Sequence, residues 1–228
     1  VKGEKDFAIY GNAFYDQIVG DNKGGSAEPG IVMVAFDKNK NGKPDDDEWY
    51  EIAGSEYYKP ETVKEYKITF YRPDPNKPPT PDASGNLTDT TYIRWKDNQG
   101  GQGYMSKIMF HAQDYFPKWI KADELTFTGT RLKDNAEDIS GFGQYFILYS
   151  YDWGYVDNRP NQPIENISFD IDWAVDKDGN KVHLPGVDFI RVYTGLNQSC
   201  GRLGETSTEI VRGRDLHIDA PADNPPIV

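Results

Sequence analysis

Short stretches in which apolar and polar residues alternate recur along the chain, separated by turns rich in glycine and proline. The clearest alternation spans 167–175, where the apolar set is Ile167, Phe169, Ile171, Trp173 and Val175. A period of two points successive side chains to opposite faces, so this stretch predicts a strand with one buried and one solvated face. Comparable runs predict strands at 6–10, 31–36, 49–52, 65–71, 91–95, 125–132, 144–149, 187–194 and 208–212.

Helical periodicity is rare in this sequence. The stretch 104–112 brings Met105, Ile108 and Met109 onto one helical face and predicts a short helix. Many short strands with almost no helix are typical of all-β proteins, and we predict an antiparallel β-sandwich of jelly-roll type. With 228 residues, the chain is long enough for one such domain, which we place at 1–218.

Two stretches rich in proline and polar residues interrupt the pattern. The stretch 72–89 (RPDPNKPPTPDASGNLTD) predicts a surface loop, and 219–228 (DAPADNPPIV) predicts a tail or linker. At the other end, Val1 opens directly into a stretch that looks like a strand, so we expect the numbered chain to be a processed or trimmed form.

The connection between the strands predicted at 31–36 and 49–52 matches a twelve-position calcium loop. Gly42 stands at position 6, where the loop turns sharply, and the side chains at positions 1, 3, 5, 9 and 12 all carry oxygen. Position 7 contributes a backbone carbonyl. The predicted ligands are Asp37, Asn39, Asn41, Lys43 through its carbonyl, Asp45 and Glu48.

The predicted ion is Ca²⁺, because Mg²⁺ requires a stricter octahedron and retains its own waters. The flanks are strand-like and Pro44 occupies position 8, so we predict a lone structural site rather than a paired sensor. The alternative is an acidic turn, since Asp, Asn and Gly also favour turns without a metal. The similar stretch at 176–180 (DKDGN) predicts a hairpin turn in preference to a second cation site.

Composition narrows the possible partners. The formal net charge of −12 argues against nucleic acid or an anionic membrane, both of which require a basic surface. Cys200 is the single cysteine, so no disulfide forms within this chain. No apolar run approaches the length of a membrane-spanning helix.

The sequence gives no support for catalysis. The three histidines, His111, His183 and His217, lack the close spacing of metal ligands, and no nucleophile-elbow motif accompanies a serine. Acidic residues are so numerous that no glycosidase pair stands out. We therefore predict that the protein is not an enzyme.

The stretch 151–158 (YDWGYVDN) places aromatic rings beside carboxylate and amide groups around a glycine. Such a mixture suits a ligand that has apolar faces and hydroxyl groups, such as a sugar. The predicted ligand-binding residues are Trp153, Tyr155, Asp157 and Asn158. The alternative is that these aromatic side chains anchor the loop to the core.

Several longer phrases carry a resemblance to known proteins. They are DFAIYGNAF (6–14), EPGIVMVAFDKNKNGKPDDDEWYEIAGSEY (28–57), ITFYRP (68–73), IRWKDNQG (93–100), FTGTRL (127–132), YDWGYVDN (151–158), HLPGVDFIRVYTG (183–195) and LGETSTEI (203–210). Together they resemble a family of secreted or cell-surface proteins from Bacteroides and related gut bacteria that occur beside PKD-like domains. A wider resemblance is to discoidin-like, galactose-binding-type jelly rolls.

The resemblance implies a lipoprotein or exported protein at the bacterial outer-membrane surface, working near TonB-dependent uptake systems for glycans or corrinoids. It also implies that the first strands of the domain precede Val1. Two functions follow as expectations. One is a calcium-stabilised module that binds a glycan or another nutrient ligand, and the other is a structural or protein-interaction domain of an outer-membrane uptake assembly.

Overall fold

The computed structural model describes residues 3–20, 22–204 and 206–218. Within these ranges the chain forms fourteen strands: β1 (Phe7–Tyr10), β2 (Gly24–Gly25), β3 (Gly30–Ala35), β4 (Trp49–Ile52), β5 (Val63–Tyr71), β6 (Leu87–Asp97), β7 (Gln102–Ile108), β8 (Glu124–Arg131), β9 (Ala136–Asp138), β10 (Phe146–Tyr149), β11 (Ser168–Phe169), β12 (Ala174–Val175), β13 (Phe189–Thr194) and β14 (Arg212–Asp215). Short 3₁₀ turns occupy Asp46–Glu48, Ile164–Ile167, Ile171–Trp173 and Gly201–Leu203. In this described part of the chain, no helix has the length and apolar character needed to cross a membrane. Val1 and the predicted tail at 219–228 lie outside the described residues.

The strands form four sheets, and every ladder between two of these strands is antiparallel. The strand orders are β11-β1-β14, β2-β10-β9, β12-β4-β3-β13 and β7-β6-β5-β8. The strand β3 lies inside its sheet, pairing with β13 on one side and β4 on the other. Its β-branched run suits a strand that is buried on both faces.

The main core lies between the sheet that contains β3 and the sheet that contains β1. Val32 and Val34 of β3 are fully buried and pack with Phe7 of β1 and Phe169 of β11. The rings of Phe7 and Phe169 stack with their centroids 5.2 Å apart. Two antiparallel sheets that share one core form a β-sandwich, so the predicted antiparallel β-sandwich is confirmed and its jelly-roll type stays a prediction.

The opposite face of β3 packs against residues that lie just after β8, β10 and β13. Ile31 lies in a second cluster with Leu132, Tyr155 and Leu196. Polar contacts reinforce this packing: the backbone N–H of Thr130 donates to the Tyr193 hydroxyl at 2.8 Å. The Thr130 hydroxyl also donates to Oε2 of Glu51 at 2.6 Å. Ile31 thus shares its side of β3 with residues from the segments that follow β8, β10 and β13.

The strand predicted at 167–175 is interrupted. Ser168–Phe169 and Ala174–Val175 are two short strands in different sheets, separated by the 3₁₀ turn Ile171–Trp173. The Asp170 side chain accepts the backbone N–H of Asp172 at 2.9 Å, and the Asp6 side chain accepts that of Ile171 at 2.8 Å. These two carboxylates satisfy backbone donors that a continuous strand would pair with a neighbour, so the chain bends here.

Two other predictions of local structure were wrong in part. The short helix predicted at 104–112 is instead strand β7 over Gln102–Ile108, because pairing with β6 satisfies its backbone along the hairpin. The strand predicted at 208–212 lies further on, at β14. The hairpin turn at 176–180 is present, with Oδ1 of Asp176 accepting the backbone N–H groups of Asp178 and Asn180.

The predicted surface loop at 72–89 ends earlier than predicted, because its last three residues belong to strand β6, which begins at Leu87. A buried carboxylate of this strand, Asp89, holds the loop. Oδ1 of Asp89 accepts the N–H of Thr91 at 3.0 Å and the hydroxyl of Thr80 at 2.8 Å, and Lys77 Nζ lies 3.4 Å away. Burial raises the pKa of Asp89, but these hydrogen bonds and the Lys77 charge outweigh it and lower the pKa to about 2. The ionised carboxylate therefore holds the loop against β6.

Candidate metal and ligand sites

The predicted calcium loop connects β3 to β4. These strands pair from Met33↔Glu51 to Ala35↔Trp49, so the loop begins and ends beside one short ladder. A third segment supports it, because the N–H of Asp37 donates to Oδ2 of Asp188, immediately before β13, at 2.8 Å. The ladder and the contact from Asp188 fix both ends of the loop.

Asp37 organises the first half of the loop. Its Oδ1 accepts the N–H of Asn41 at 3.1 Å, and its Oδ2 accepts the N–H of Gly42 at 2.8 Å. Gly42 has a φ of 74°, in the left-handed region that glycine adopts without a steric penalty. The turn predicted at position 6 is therefore present, and the loop coils around the carboxylate at position 1.

Glu48 closes the second half of the loop from within the protein. It is only 2% exposed, and its two oxygens reach both ends of the loop. Oε1 accepts the N–H of Lys38 at 2.8 Å, and Oε2 accepts the N–H of Asp45 at 3.1 Å. A buried carboxylate that faces both ends of an acidic loop has the placement needed for a ligand at position 12.

The remaining predicted ligands lie in the same coil. The side-chain amides of Asn39 and Asn41 both donate to Oδ2 of Asp45, at 2.6 and 2.8 Å. The N–H of Lys43 donates to Oδ1 of Asn41 at 2.8 Å. The structure thus gathers all six predicted residues into one loop, and calcium binding by them stays a prediction.

A different acidic cluster, which sequence reasoning missed, could hold a metal ion. Glu28, Asp157 and Glu209 each offer one carboxylate oxygen, and these oxygens all lie within 4.8 Å of one another. Among the described residues, no other group of three His, Cys, Asp or Glu side chains meets this geometry. We call these three residues the acidic triad.

Backbone hydrogen bonds position the acidic triad. Asp157 is fully buried: its Oδ1 accepts the N–H groups of Asn12 at 2.7 Å and Ala13 at 2.9 Å, and its Oδ2 accepts that of Glu209 at 3.0 Å. Oε1 of Glu28 accepts the N–H of Ser207 at 3.1 Å. Four segments that are distant in sequence therefore meet at this cluster.

Burial dominates the electrostatics of the acidic triad. It raises the pKa of Glu28 to about 8, with a further contribution from the neighbouring Glu209 carboxylate. Burial also raises the pKa of Asp157, to about 6, although the N–H groups of Glu209 and Asn12 oppose this shift. Without a cation, the cluster therefore retains protons under conditions in which carboxyl groups are usually ionised.

The four predicted ligand-binding residues do not share one accessible surface. Trp153 is 43% exposed, whereas Tyr155, Asp157 and Asn158 are buried. The Tyr155 hydroxyl accepts the N–H of Glu56 at 3.0 Å, and Oδ1 of Asn158 accepts the N–H of Tyr151 at 2.7 Å. The last three side chains thus hold the fold around the loop, and Trp153 is the residue of this set that a ligand can reach.

Trp153 lines a small pocket with residues from elsewhere in the chain. Its ring lies against that of Trp173, with centroids 4.5 Å apart and the planes tilted by 54°. The pocket has a volume of about 190 Å³. It is lined by Ala53, Gly54, Ser55, Tyr58, Trp153, Trp173, Val175 and Lys181.

A second, wider cleft adjoins the other side of the same 3₁₀ turn. Its volume is about 460 Å³, and its lining residues are Asp6, Asp170, Ile171, Asp172, His183, Leu184 and Pro185. The turn Ile171–Trp173 contributes to both concavities. Lys5 lies nearby, with Nζ 3.7 Å from the centroid of the Trp173 ring and 4.0 Å from Oδ2 of Asp170.

No protein-family model matches the chain, and no curated protein matches it either. Sequence reasoning could predict the coil at 37–48 because its residues are consecutive, and calcium binding there stays a prediction. No local signal marks the acidic triad or the pairing of Trp153 with Trp173, because only the fold brings those residues together.

Proposed function

We propose that the protein is a non-catalytic, calcium-stabilised binding module of a bacterial cell surface and that its ligand is a neutral glycan. The observation that carries this proposal is the pocket formed by Trp153, Trp173 and Tyr58. Export and a lipid anchor belong to the same proposal and rest on the resemblance described above.

The pocket combines the two surfaces that a sugar requires. Trp153 and Tyr58 are both partly accessible, and the C–H faces of a sugar ring stack on such aromatic surfaces. Ser55 and Lys181 supply polar groups at the same pocket for the hydroxyls. The neighbouring cleft adds Asp172 and His183, whose polar atoms suit further hydroxyl groups of an extended chain.

Size and charge narrow the ligand class. Ligand pockets for drug-sized molecules usually measure roughly 300–1,000 Å³. At about 190 Å³, this pocket suits one sugar ring rather than a corrinoid macrocycle. Asp6, Asp170 and Asp172 line the adjoining cleft, so an anionic glycan would meet like charge there.

The calcium loop has a direct structural link to this pocket. Strand β4 begins directly after Glu48 and ends at Ile52, and the next three residues, Ala53, Gly54 and Ser55, line the pocket. An ion held by the loop would therefore fix the strand that leads into the pocket. This arrangement supports a stabilising role for calcium rather than a catalytic one.

The alternative function is a structural or protein-interaction domain of an outer-membrane uptake assembly. Exposed apolar side chains in and around β7 and β8 favour it. Met109, Phe110 and Trp119 are each more than half exposed, and Phe127 of β8 is 54% exposed. Side chains of this kind at a surface are suited to contact with another protein.

The test is calorimetric titration of the full chain, in excess calcium, with a panel of neutral and acidic polysaccharides and corrinoids. We expect saturable binding of a neutral glycan, and Trp153→Ala should weaken it by at least about tenfold through loss of the stacked ring. Trp119→Ala is the matched control, because it removes an indole that is 78% exposed and does not line the pocket. The glycan proposal would be contradicted if no member of the panel binds, or if Trp153→Ala and Trp119→Ala weaken glycan binding equally. Capture of a neighbouring surface protein that depends on Trp119 would support the alternative.

A further inference from the structure

One face of the sheet β7-β6-β5-β8 carries an excess of positive charge. Residues directly opposite each other in an antiparallel ladder point to the same face of a sheet. Thr69 of β5 lies opposite Lys96 of β6 and opposite Thr126 of β8. Arg94, two residues before Lys96 in β6, lies opposite Tyr104 of β7. We call this surface the cationic face, and its members are Lys67, Thr69, Tyr71, Arg94, Lys96 and Tyr104.

The cationic face is the solvent side of its sheet. Tyr66 and Ile68, on either side of Lys67 in β5, are only 6% and 7% exposed, and Ile93, next to Arg94, is 3% exposed. Lys67 and Arg94 themselves are exposed, and so is Lys96. The period of two along β5 and β6 therefore separates a buried apolar face from an exposed basic one.

The three cations of this face have no carboxylate partner. Among the residues that the structure describes, Lys67, Arg94 and Lys96 take part in none of the ion pairs. The strand register adds one acidic residue, Glu124, at the corner opposite Tyr71. The whole chain has 37 acidic and 25 basic residues, so the cationic face reverses the charge balance of the protein.

Aromatic and hydroxyl groups lie among the cations. The Arg94 guanidinium lies over the Tyr71 ring, 4.1 Å from its centroid, and this contact restrains the group while its N–H edges face outward. The Tyr104 side chain is 49% exposed beside it. The hydroxyls of Thr69 and Thr126 lie 2.8 Å apart on the same face.

We propose that the cationic face binds an anionic polysaccharide, a chain of sugar rings that carries carboxylate or sulfate groups. Arg94 and the two lysines suit the anionic groups, and a guanidinium can bind a carboxylate through two parallel hydrogen bonds. The tyrosine rings suit the C–H faces of the sugars, and the threonine hydroxyls suit the sugar hydroxyls. This site is separate from the Trp153 pocket, whose adjoining cleft is lined by Asp6, Asp170 and Asp172.

Charge density favours a polysaccharide over a nucleic acid at this face. Duplex DNA carries one negative charge per roughly 1.7 Å of its axis, whereas an acidic polysaccharide spreads its anionic groups over successive sugar rings. The protein has a formal net charge of −12, so its remaining surface repels the denser polyanion more strongly.

The competing explanation is that the lysines and the arginine only keep an exposed sheet soluble. The two explanations differ in how binding depends on position. A solubility role predicts that an exposed lysine elsewhere is equivalent, whereas a binding face predicts that only its own cations matter.

The experiment is a calorimetric titration of the full chain at low and at high ionic strength. The probes are hyaluronate, which carries carboxylates, chondroitin sulfate, which also carries sulfates, neutral dextran, and a DNA duplex. The test variant is the double replacement Lys67→Gln and Lys96→Gln, and Arg94→Gln is a second, independent variant. Lys40→Gln with Lys177→Gln is the matched control, because both lysines are exposed and lie in turns outside this sheet. Circular dichroism checks that each variant is folded.

We expect saturable binding of an anionic polysaccharide that weakens as the salt concentration rises. The Lys67 and Lys96 double variant should weaken it by about tenfold or more, and Arg94→Gln should also weaken it. The control pair and Trp153→Ala should leave it unchanged. Binding of both anionic probes assigns the face to carboxylates, and binding of chondroitin sulfate alone assigns it to sulfates.

Four results would overturn the proposal. They are no binding of either anionic polysaccharide, equal weakening in the test and control pairs, loss of binding in Trp153→Ala, and tighter binding of the DNA duplex than of both polysaccharides. Sedimentation of the protein alone adds a further check. Self-association that the Lys67 and Lys96 double variant abolishes would assign the face to a second copy of the chain instead.

Discussion

The replacement Asp37→Ala is expected to remove part of the thermal stabilisation that calcium gives the protein. Asp37 occupies the first ligand position and also accepts the N–H groups of Asn41 and Gly42. The variant therefore loses two things at once, the ion and two hydrogen bonds. The loss of the ion and the loss of the two hydrogen bonds each lower the free energy of unfolding, and their contributions have different sizes.

The ion's contribution follows from mass action. A ligand that binds only the folded state adds roughly 2.7 kcal/mol to the free energy of unfolding at a hundredfold excess over its Kd. For a protein of about this length, 1 kcal/mol changes the melting temperature by roughly 2–4 °C, so the loop should contribute about 5–10 °C. The lost hydrogen bonds contribute roughly 0.5–1.5 kcal/mol each, whether or not calcium is present.

The assay is a thermal melt of the wild type and the variant, each in excess calcium and in excess chelator. The difference between the two calcium-dependent shifts isolates the ion, because the hydrogen-bond loss appears in both conditions and cancels. Asp46→Ala is the matched control, since Asp46 is an exposed carboxylate of the same loop outside the predicted ligand set. Equal calcium-dependent shifts in the wild type and Asp37→Ala would refute the loop as a calcium site.

Two further predictions concern stability away from the predicted calcium loop. Asp89→Asn should lower the free energy of unfolding by roughly 2 kcal/mol at pH 7, because a folded-state pKa of about 2 lies below the ordinary value of 3.8. That stability is present above the ordinary pKa and is lost as the pH falls through about 2. The difference in the free energy of unfolding between the wild type and Asp89→Asn, measured by urea denaturation, should therefore be about half as large at pH 3 as at pH 7. A difference that does not change with pH would contradict this prediction. Phe169→Ala should cost about 3–5 kcal/mol in the same assay, because the buried ring would leave a cavity against Phe7. Phe142→Ala, at a site 74% exposed, should cost almost nothing, and similar losses at both sites would show that the core is placed incorrectly.

Local patterns in the sequence were sufficient for the fold class and for the loop between β3 and β4. The apolar run at 31–36 supplies most of β3 (Gly30–Ala35), and its β-branched residues Ile31, Val32 and Val34 are buried there. The turn at Gly42 was equally predictable, since a positive φ is a property of the local backbone. The six predicted loop ligands are close in sequence, so their meeting in one coil needs no long-range contact.

Alternation of residue types was not sufficient where distant side chains compete for the backbone. The stretch 167–175 has a strand pattern, but Asp6, far away in sequence, accepts the N–H of Ile171 and helps to turn the chain. Similarly, the aromatic loop at 151–158 presents Trp153 and buries Tyr155, because the Tyr155 hydroxyl is held by the backbone of Glu56. Which aromatic ring faces solvent depends on the residue that it contacts in the folded protein, and the order of residue types along the chain does not specify that residue.

The sequence by itself therefore determined what depends on neighbouring residues: most of the strands, the turns at Gly42 and at 176–180, and the coil of the acidic loop. Only the tertiary structure determined which residues from distant parts of the chain lie next to one another. It brought Glu28, Asp157 and Glu209 to within 4.8 Å and set Trp153 against Trp173. The physical reason is that electrostatic and stacking interactions act through space over a few ångströms, whereas these residues are separated along the chain by many intervening positions.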